Sequence, residues 1–360
     1  MSQNEIVRSF NKSRGSIMKD ITVLGIDLAK NVFQLHGTDA AGKCRLKKRL
    51  SREKLVEFMA QLPRCLVGIE ACGGSHHWAR TFQQMGHEVK MMAPQFVKPY
   101  IGANKNDQND AAGINEAVTR PTMKFVPIKQ IEQQDVLLMH RCRELLIKQQ
   151  TALSNQVRGL LGEYGIVIPQ GLRHVRALPE VIDKNKNSLT DRAVEIFTRL
   201  HEQFKKLEEQ VNVYNNEVEH NSNEDIRCKE IQKIKGIGPI SASAIVATIG
   251  DPHVFKNGRE VSAWLGLVPK QHSSGEKIRL SGITKRGDSY VRTLLIHGAR
   301  SFVRGCEKKT DGLSLWVADK KRRGGCNKAS VALANKNARI IWAMLATGEV
   351  YRAQSEPTIS

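Results

Sequence analysis

Four carboxylates between residues 27 and 110 have the types and spacing that could hold a divalent cation. Asp27 and Glu70 each end a short apolar run, where a charge is costly to bury unless it is paired or bound to a cation. Asp107 and Asp110 are three residues apart at the predicted start of a helix, which points both side chains in one direction. Converging carboxylates repel one another, so the set favours Mg²⁺, with Mn²⁺ as a second choice, and two such ions suit phosphoryl transfer. The alternative interpretation makes Asp107 and Asp110 capping acids and Asp27 a turn residue.

A second group of candidates lies in a stretch of hydroxyls, glycines and cations between residues 269 and 292. Ser274 precedes Gly275, which lets a backbone approach closely, and a hydroxyl with cations nearby suits attack on a phosphodiester. The adjacent Ser273 is the other candidate for this hydroxyl. From the local sequence alone, a basic loop that only grips phosphates, with Ser274 as a turn residue, is the favoured interpretation. The cations predicted to contact phosphates are Arg279, Lys285, Arg286 and Arg292.

Tyr290 is a rival nucleophile in the style of tyrosine recombinases, because Arg286, Arg292 and His297 are close to it in sequence. It falls within an amphipathic helix that Asp288 is expected to cap. Core packing is therefore the favoured role for this tyrosine.

The composition favours a nucleic acid as the partner. The chain of 360 residues carries 56 Lys and Arg against 36 Asp and Glu, a net charge of +20. Residues 256–340 hold 19 Lys and Arg against 6 Asp and Glu, an asymmetry more typical of a phosphate-binding surface than of a solvated basic face. No apolar run reaches the ~20 residues of a membrane span and no secretory signal is present, so we expect a cytoplasmic protein without membrane contact. The seven scattered cysteines form no C-x-x-C pair and are expected to be reduced thiols.

The elements that must position the first two carboxylates alternate between strands and helices over residues 21–93. The pattern predicts the order β-β-β-α-β-α-β, with Asp27 and Glu70 at or near the carboxyl ends of the first and fourth strands. In a mixed sheet such strand ends open into a shared crevice. An α/β domain with helices packed on a mixed sheet is therefore expected.

Long helices are expected over residues 131–225, and one of them carries a coiled-coil seam. Another helix must cover this seam, either from the same chain or from a second protomer. Its apolar residues step by three and four: Phe197, Leu200, Phe204, Leu207, Val211, Tyr214 and Val218.

The C-terminal region begins with a glycine turn that feeds a helix. Gly236 and Gly238 occur in the pattern of a helix-hairpin-helix element, whose backbone amides can cradle a phosphate; a tight turn between packed helices is the alternative. Further on, Lys320–Arg323 is expected to be an exposed phosphate-binding loop, and residues 328–345 a final helix.

Several motifs together resemble the DEDD transposases of bacterial insertion sequences, the family of bridge-RNA-guided serine recombinases. The resemblance extends from about residue 20 to residue 350, with both halves in the right order and separation. A polar N-terminal extension and a variant loop at Ile101–Asn104 depart from it without touching the carboxylates. The motifs are Gly25-Ile26-Asp27, Ile69–Gly74, Lys105–Ala111, Ile237-Gly238-Pro239, Ala263–Pro269, Ser274-Gly275 and Gly282–Gly287.

The resemblance implies a fold and roles for these residues. An N-terminal RuvC-like domain of the RNase H fold would carry the tetrad Asp27, Glu70, Asp107 and Asp110, and the nucleophilic serine would fall on Ser274. The family joins donor and target DNA through phosphoserine intermediates, forms dimers and tetramers, and takes its sequence preference from a structured RNA that the element encodes. A cytoplasmic, nucleoid-associated location in a bacterium follows from this resemblance.

The sequence thus predicts an insertion-sequence recombinase with five segments. These are an extension (1–20), a RuvC-like domain (21–130), a helical coiled-coil linker (131–225), a mainly helical transposase domain with the serine (226–350) and a tail (351–360). Two other functions remain open: a hydrolytic, RuvC-like junction endonuclease in which Ser274 is inert, and a non-catalytic nucleic-acid-binding protein.

Overall fold

The computed structural model describes residues 18, 20–101, 106–272 and 279–352. They belong to two compact units, the first ending at Gln130 and the second beginning at Ile131. The helical linker and the transposase region, which the sequence separates at residue 225, both lie in the second unit. Among the described residues, no helix combines the length and the apolar character needed to cross a membrane.

The first unit is built on one mixed sheet, as predicted. Its strands lie side by side in the order β3-β2-β1-β4-β5-β6. The pairs β1–β4 and β4–β5 are parallel, and the other three pairs are antiparallel. The two-residue strand β6 is the one that the sequence pattern did not predict. The strands are β1 Val23–Leu28, β2 Val32–Thr38, β3 Cys44–Ser51, β4 Leu66–Glu70, β5 Glu88–Met92 and β6 Phe125–Val126.

Helices cover both faces of this sheet. Side chains alternate along a strand, so Leu24 and Ile26 of β1 face one side while Gly25 faces the other. The first side packs on α1 and α2 in the main core, which includes Leu55 and Trp78. The glycine side packs on α4. The helices of this unit are α1 Arg52–Gln61, α2 Ser75–Gln84, α3 Pro94–Val97 and α4 Asp107–Val118.

Two long antiparallel helices open the second unit. They are α5 Ile131–Gly162 and α8 Asp191–Glu224, joined through the short helices α6 Leu172–Arg176 and α7 Leu178–Lys184. Their direction follows from two contacts: the Tyr164 ring lies 6.0 Å from that of Phe197, and Arg143 Nε donates to Asn215 Oδ1 at 2.6 Å.

The same chain covers the predicted seam of α8. Every second member of the seam is buried, and the others are half-buried, because they pack on α5 and the short helices between them. The buried members are Phe197, Phe204, Val211 and Val218.

The remainder of the second unit packs around one almost entirely buried helix, α10. Its Ser241–Ile249 segment is buried throughout. A two-stranded hairpin, β7 with β8, is the only sheet described in this unit. The elements are α9 Ile226–Ile231, α10 Pro239–Ile249, α11 Gly258–Trp264, β7 Pro269–Gln271, β8 Leu280–Ile283, α12 Ser289–Gly305 and α13 Gly312–Thr347.

The start of α13 corrects one sequence prediction. Residues Lys320–Arg323 are helical rather than a loop, and the helix changes direction at Gly325, where φ is 77°. Lysine and arginine are good helix formers, and Arg322 and Arg323 both pair with Asp319 one turn before them. The predicted final helix over residues 328–345 is therefore the second half of a longer, kinked one.

Candidate functional site

The parallel register of β1 and β4 places Asp27 beside Glu70. Ile26 pairs with Ile69 at the end of the β1–β4 ladder, and the next residue on each strand is a carboxylate. Both side chains are half-buried. Burial raises the pKa of the nearby Cys72 thiol, and the negative charges of Glu70 and Asp27 raise it further. The two carboxylates therefore lie close enough together to influence the same side chain at this end of the sheet.

Gly25 and Gly68 let α4 lie directly on the sheet next to this pair. A Cβ at Gly25 would lie 2.5 Å from the backbone nitrogen of Asn115 and closer still to a carbonyl oxygen of α4. A Cβ at Gly68 would lie 2.8 Å from the Cβ of Val118, a side chain at the end of α4. Asp27 and Glu70 are two residues beyond these glycines, so they point to the face of the sheet that carries α4.

Asn115 fastens α4 to the sheet, and the sequence reasoning missed it. Its side chain is buried, donates to the carbonyls of Val23 at 3.1 Å and His36 at 3.0 Å, and accepts from Thr38 Oγ1 at 3.1 Å. The signal was present in the sequence, because an asparagine on the apolar face of a helix needs buried partners.

The helix α4 begins at Asp107, as predicted, with Asn106 as its N-cap. Asp107 is exposed, whereas Asp110 is half-buried. Oxygen Oδ1 of Asp110 is buried and has no hydrogen-bond partner among the described residues. A buried carboxylate oxygen without a donor is costly, so this atom fits a position that a cation would satisfy.

The donor atoms of these four acids suit a divalent cation, but the distances between the side chains do not yet form a metal site. Carboxylate oxygens are the donors that Mg²⁺ and Mn²⁺ prefer, and the unpartnered oxygen of Asp110 agrees with a missing ligand. Within the described part of the chain, however, no three Asp, Glu, His or Cys side chains lie close enough together to hold a metal ion. The register brings Asp27 and Glu70 together, and α4 begins with the other two.

The predicted nucleophile, Ser274, lies outside the described residues, as does Ser273. The structure describes the chain on both sides of this segment. His272 N–H donates to the Arg279 carbonyl at 3.0 Å, next to the β7–β8 rung that joins Gln271 and Leu280. The hairpin thus holds residues 272 and 279 side by side.

Three of the four predicted phosphate-binding cations are exposed. Arg279 follows the undescribed segment, and Lys285 and Arg286 lie in the connection from β8 to α12. Lys285 has a φ of 56°, the one positive value at a non-glycine residue in the described chain. The connection is held against α11, because a Cβ at Gly266 would overlap the backbone of Lys285 and Arg286.

Arg292, the fourth predicted phosphate ligand, has a structural contact. Its Nη1 donates to the carbonyls of Leu265 at 3.0 Å and Arg286 at 2.9 Å. This side chain therefore braces the β8–α12 connection against α11. Its contact with phosphate stays a prediction.

Tyr290, the rival nucleophile, belongs to a buried polar network. Its hydroxyl lies 3.0 Å from His140 Nδ1 and 3.5 Å from Arg143 Nη1, and His140 Nε2 lies 3.1 Å from Ser243 Oγ. Burial raises the pKa of Tyr290. Burial, with a smaller contribution from Arg143, lowers the pKa of His140 to about 4. The network ties α5 to α10 and α12, which agrees with the packing role favoured for this tyrosine.

The glycine turn before α10 contacts α12. Gly236 has a φ of 84°, and a Cβ there would lie 2.8 Å from the Gly298 carbonyl oxygen, so its conformation serves a close backbone approach. Gly238 is exposed, and no atom of the described residues lies within 4 Å of a Cβ built on it. A short helix, a turn and a second helix occur where the sequence places them, and phosphate binding by this turn stays a prediction.

Comparisons with known proteins define the class of protein to which these units belong. Residues 24–166 match a family model of DEDD transposases of the IS110 type, and residues 228–311 match one described as "Transposase IS116/IS110/IS902 family". The first match includes the four carboxylates, and the second includes the β7–β8 hairpin. The class is that of DNA transposases, enzymes whose partner is DNA.

Curated relatives match over nearly the full length. A "Probable family 20 transposase" of Pseudomonas aeruginosa is 45% identical over 92% of this chain and 99% of its own. The transposase of insertion sequence element IS1111A of Coxiella burnetii is 45% identical over 98% and 96%, and that of IS1328 of Yersinia enterocolitica is 38% identical over 93% and 99%. This chain therefore belongs to the IS116/IS110/IS902 family of insertion-sequence transposases.

Proposed function

We propose that this transposase cuts and rejoins DNA through a covalent bond to Ser274, with Asp27, Glu70, Asp107 and Asp110 holding Mg²⁺ at the scissile phosphate. The single observation that carries the metal site is the parallel register that sets Asp27 beside Glu70, under a helix that begins with the other two acids. The RuvC-like form of the first unit is part of this proposal and is supported by its mixed sheet order.

The serine half of the proposal is supported by the hairpin and its charge. The exposed Arg279 directly follows the segment that contains Ser274, and the exposed Lys285 and Arg286 follow β8 at the other end of the same hairpin. Cations close to a hydroxyl stabilise the negative charge that develops on a phosphate under attack. Residues 256–340, which include this hairpin, carry +13 of the chain's net charge.

The chemistry conserves one phosphodiester bond at each step. Ser274 Oγ bonds to phosphorus while the bond to the 3′ oxygen breaks, and the serine proton passes to that oxygen. The DNA end stays as a phosphoserine ester, and a 3′ hydroxyl from the other DNA reverses the step to form a new junction. When bound, the cation would stabilise negative charge on the phosphate. The four carboxylates hold and orient it.

The proposed partners extend beyond DNA. A structured RNA encoded by the element is the proposed guide, and the basic surface of the second unit suits it as well as DNA. Self-association into a dimer or tetramer is supported by a stripe on α5, where Ile131, Leu138 and Leu145 are 58%, 58% and 56% exposed at seven-residue intervals. The carboxylates and the serine of one DNA site would come from one subunit or from two. A cytoplasmic, nucleoid-associated location is part of the same proposal.

Strand cleavage with serine variants tests this function. The purified protein is incubated with element-end DNA, the RNA transcribed from the flanking element and Mg²⁺, and products are separated under denaturing conditions. We expect Ser274→Ala to abolish both cleavage and the protein–DNA adduct, whereas the matched variant Ser273→Ala keeps them. Cleavage that persists in Ser274→Ala without any adduct would instead identify a hydrolytic nuclease. Salt-sensitive binding with no cleavage by the unaltered protein would identify a binding protein only.

A further inference from the structure

A large groove crosses the second unit beside the β7–β8 hairpin. Its volume is about 1490 Å³, and it lies between β8, the start of α11 and both halves of the kinked helix α13. None of the residues that line the groove belongs to the carboxylate site. The proposed chemistry gives the groove no role.

The groove is lined by apolar side chains and by cations, which we call its floor and its rim. Leu267, Leu280, Ile283, Val331 and Ile340 supply apolar surface. Two tryptophans, Trp316 and Trp342, line it as well. The charged lining residues that the structure describes are all cations, namely Arg259, Lys328, Lys336 and Arg339.

A close backbone approach and two side-chain hydrogen bonds hold the walls in place. A Cβ at Gly258 would lie 2.8 Å from the carbonyl oxygen of Arg339, so α11 and α13 touch through their backbones. Trp342 Nε1 donates to the Pro252 carbonyl at 2.9 Å, which fixes the plane of its indole. Asn335 Nδ2 donates to the Leu267 carbonyl at 3.3 Å, so α13 is also tied to the chain that enters β7.

The chemistry of the groove selects its occupant. Single-stranded nucleic acid presents flat apolar base faces along one edge and phosphates along the other, which matches a groove lined by aromatic and aliphatic side chains together with cations. In a duplex the base faces are already stacked, so phosphates would face the apolar floor. The Lys336 and Lys320 ammonium groups lie over the Trp316 ring, 4.9 Å and 5.8 Å from its centre, so an aromatic ring and two cations occur together at this end of the groove.

We propose that this groove binds an unpaired DNA strand, with bases on the floor near Trp316 and phosphates on the rim. DNA is chosen over RNA because the floor is mainly apolar and the family acts on DNA. One wall is β8, which directly follows the segment containing Ser274. The inference deepens the proposed function, because the strand in the groove would be the one delivered to that serine.

Binding measurements on a protein that cannot react test the groove separately from the chemistry. Full-length protein with Ser274→Ala is titrated into a fluorescein-labelled 12-nucleotide DNA, its duplex and the RNA of the same sequence. Leu280 is 62% exposed, so Leu280→Gln removes apolar floor without disturbing the core. Its matched control is Leu315→Gln, at a side chain that is 49% exposed on α13 and does not line the groove.

We expect the single strand to bind about tenfold more tightly than the duplex or the RNA. Leu280→Gln should weaken this binding about fivefold, as loss of apolar contact implies, and Leu315→Gln less than twofold. The strand should also quench tryptophan fluorescence, and Trp316→Leu should remove most of that quenching while circular dichroism stays unchanged.

Three results would overturn the proposal. The first is that the duplex or the RNA binds as tightly as the single-stranded DNA or more tightly, and that Leu280→Gln weakens its binding as much as that of the single strand. The second is a change in sedimentation of Leu280→Gln with unaltered DNA binding, which would identify a second protein copy as the occupant. The third is single-strand binding that Leu280→Gln leaves unchanged. If the proposed function alone fails, the unaltered protein forms no adduct while groove binding of the single strand persists.

Discussion

The two candidate sites are built on different kinds of backbone. Asp27 and Glu70 extend from neighbouring parallel strands, and the helix that bears Asp107 and Asp110 is seated on glycines of the same sheet. The segment with Ser274 instead connects the two strands of a short hairpin, whose following connection is braced by Arg292. Carboxylates that must share a cation need fixed positions. The proposed nucleophile, which would bond to one DNA end and then release it to another, suits a position beside a rigid hairpin.

The largest expected effect is on the rate of strand cleavage, when a carboxylate of the first unit is changed. Asp27→Asn keeps the shape of the side chain but removes the charge proposed to hold Mg²⁺. We expect strand cleavage to fall by about 10³-fold, since a bound cation supplies several kcal/mol of transition-state stabilisation. The rate is measured on element-end DNA at saturating Mg²⁺. Asp183→Asn, at an acid that is 70% exposed and paired with Lys186, is the matched control and should leave the rate unchanged.

That expectation is contradicted if Asp27→Asn cleaves at the normal rate, since the carboxylates would then be structural. A shift in the Mg²⁺ concentration needed for half-maximal cleavage would separate loss of cation binding from loss of folding.

A fall in pH should lower the free energy of unfolding of the second unit, because His140 is buried in its neutral form. Its folded pKa of about 4 is below the unfolded value of 6.5, so the unfolded chain binds the proton more readily between these values. The stabilisation is therefore fully present above pH 6.5 and is lost as the pH falls toward 4, by up to about 3 kcal/mol. Urea unfolding from pH 7 to pH 4 measures it.

His140→Gln serves as the control for this titration. It can still contact Tyr290 or Ser243 but cannot titrate, so its stability should vary less across the same pH range. An identical pH slope in both proteins would show that other groups dominate the acid response.

The close packing of α4 on the sheet can be tested by a substitution at Gly25. A methyl group there would overlap α4 backbone, so Gly25→Ala should destabilise the first unit by about 1–3 kcal/mol and displace the helix that begins with Asp107. Thermal unfolding and cleavage are measured together. Gly73→Ala is the matched control, because nothing in the described part of the chain lies within 4 Å of a Cβ at that position. Equal stability of both variants would contradict the close approach of helix and sheet.

A smaller effect is expected where a side chain rather than the backbone holds α4. Asn115→Leu removes two donated hydrogen bonds and leaves Thr38 Oγ1 buried without its acceptor, at a cost of about 1–3 kcal/mol. Adding Thr38→Val should recover part of the loss, and urea unfolding of the double mutant measures this coupling. No recovery would mean that the hydroxyl has another partner.

Sequence patterns predicted the strands and helices of the first unit well, because period-two and helical spacings are local signals. They also placed Asp27 and Glu70 at strand ends. They did not predict β6, a two-residue strand specified by its neighbour β5, or Asn115, whose three partners come from three different positions along β1 and β2. The partner of the α8 seam was left open, since heptad spacing alone does not distinguish a helix of the same chain from one of another. Arg292 shows the same limit, because a cation that serves backbone carbonyls is indistinguishable in sequence from one that serves phosphates.

Mapping of the covalent bond tests the central claim most directly. Unaltered protein and Asp27→Asn are incubated with element-end DNA, RNA and Mg²⁺, digested with protease and nuclease, and analysed by mass spectrometry. We predict a nucleotide mass on Ser274 in the unaltered protein and its near-complete absence in Asp27→Asn, because the proposed mechanism needs both the carboxylates and the serine at one phosphate. A nucleotide on any other residue, or an equal yield on Ser274 in Asp27→Asn, would contradict the account.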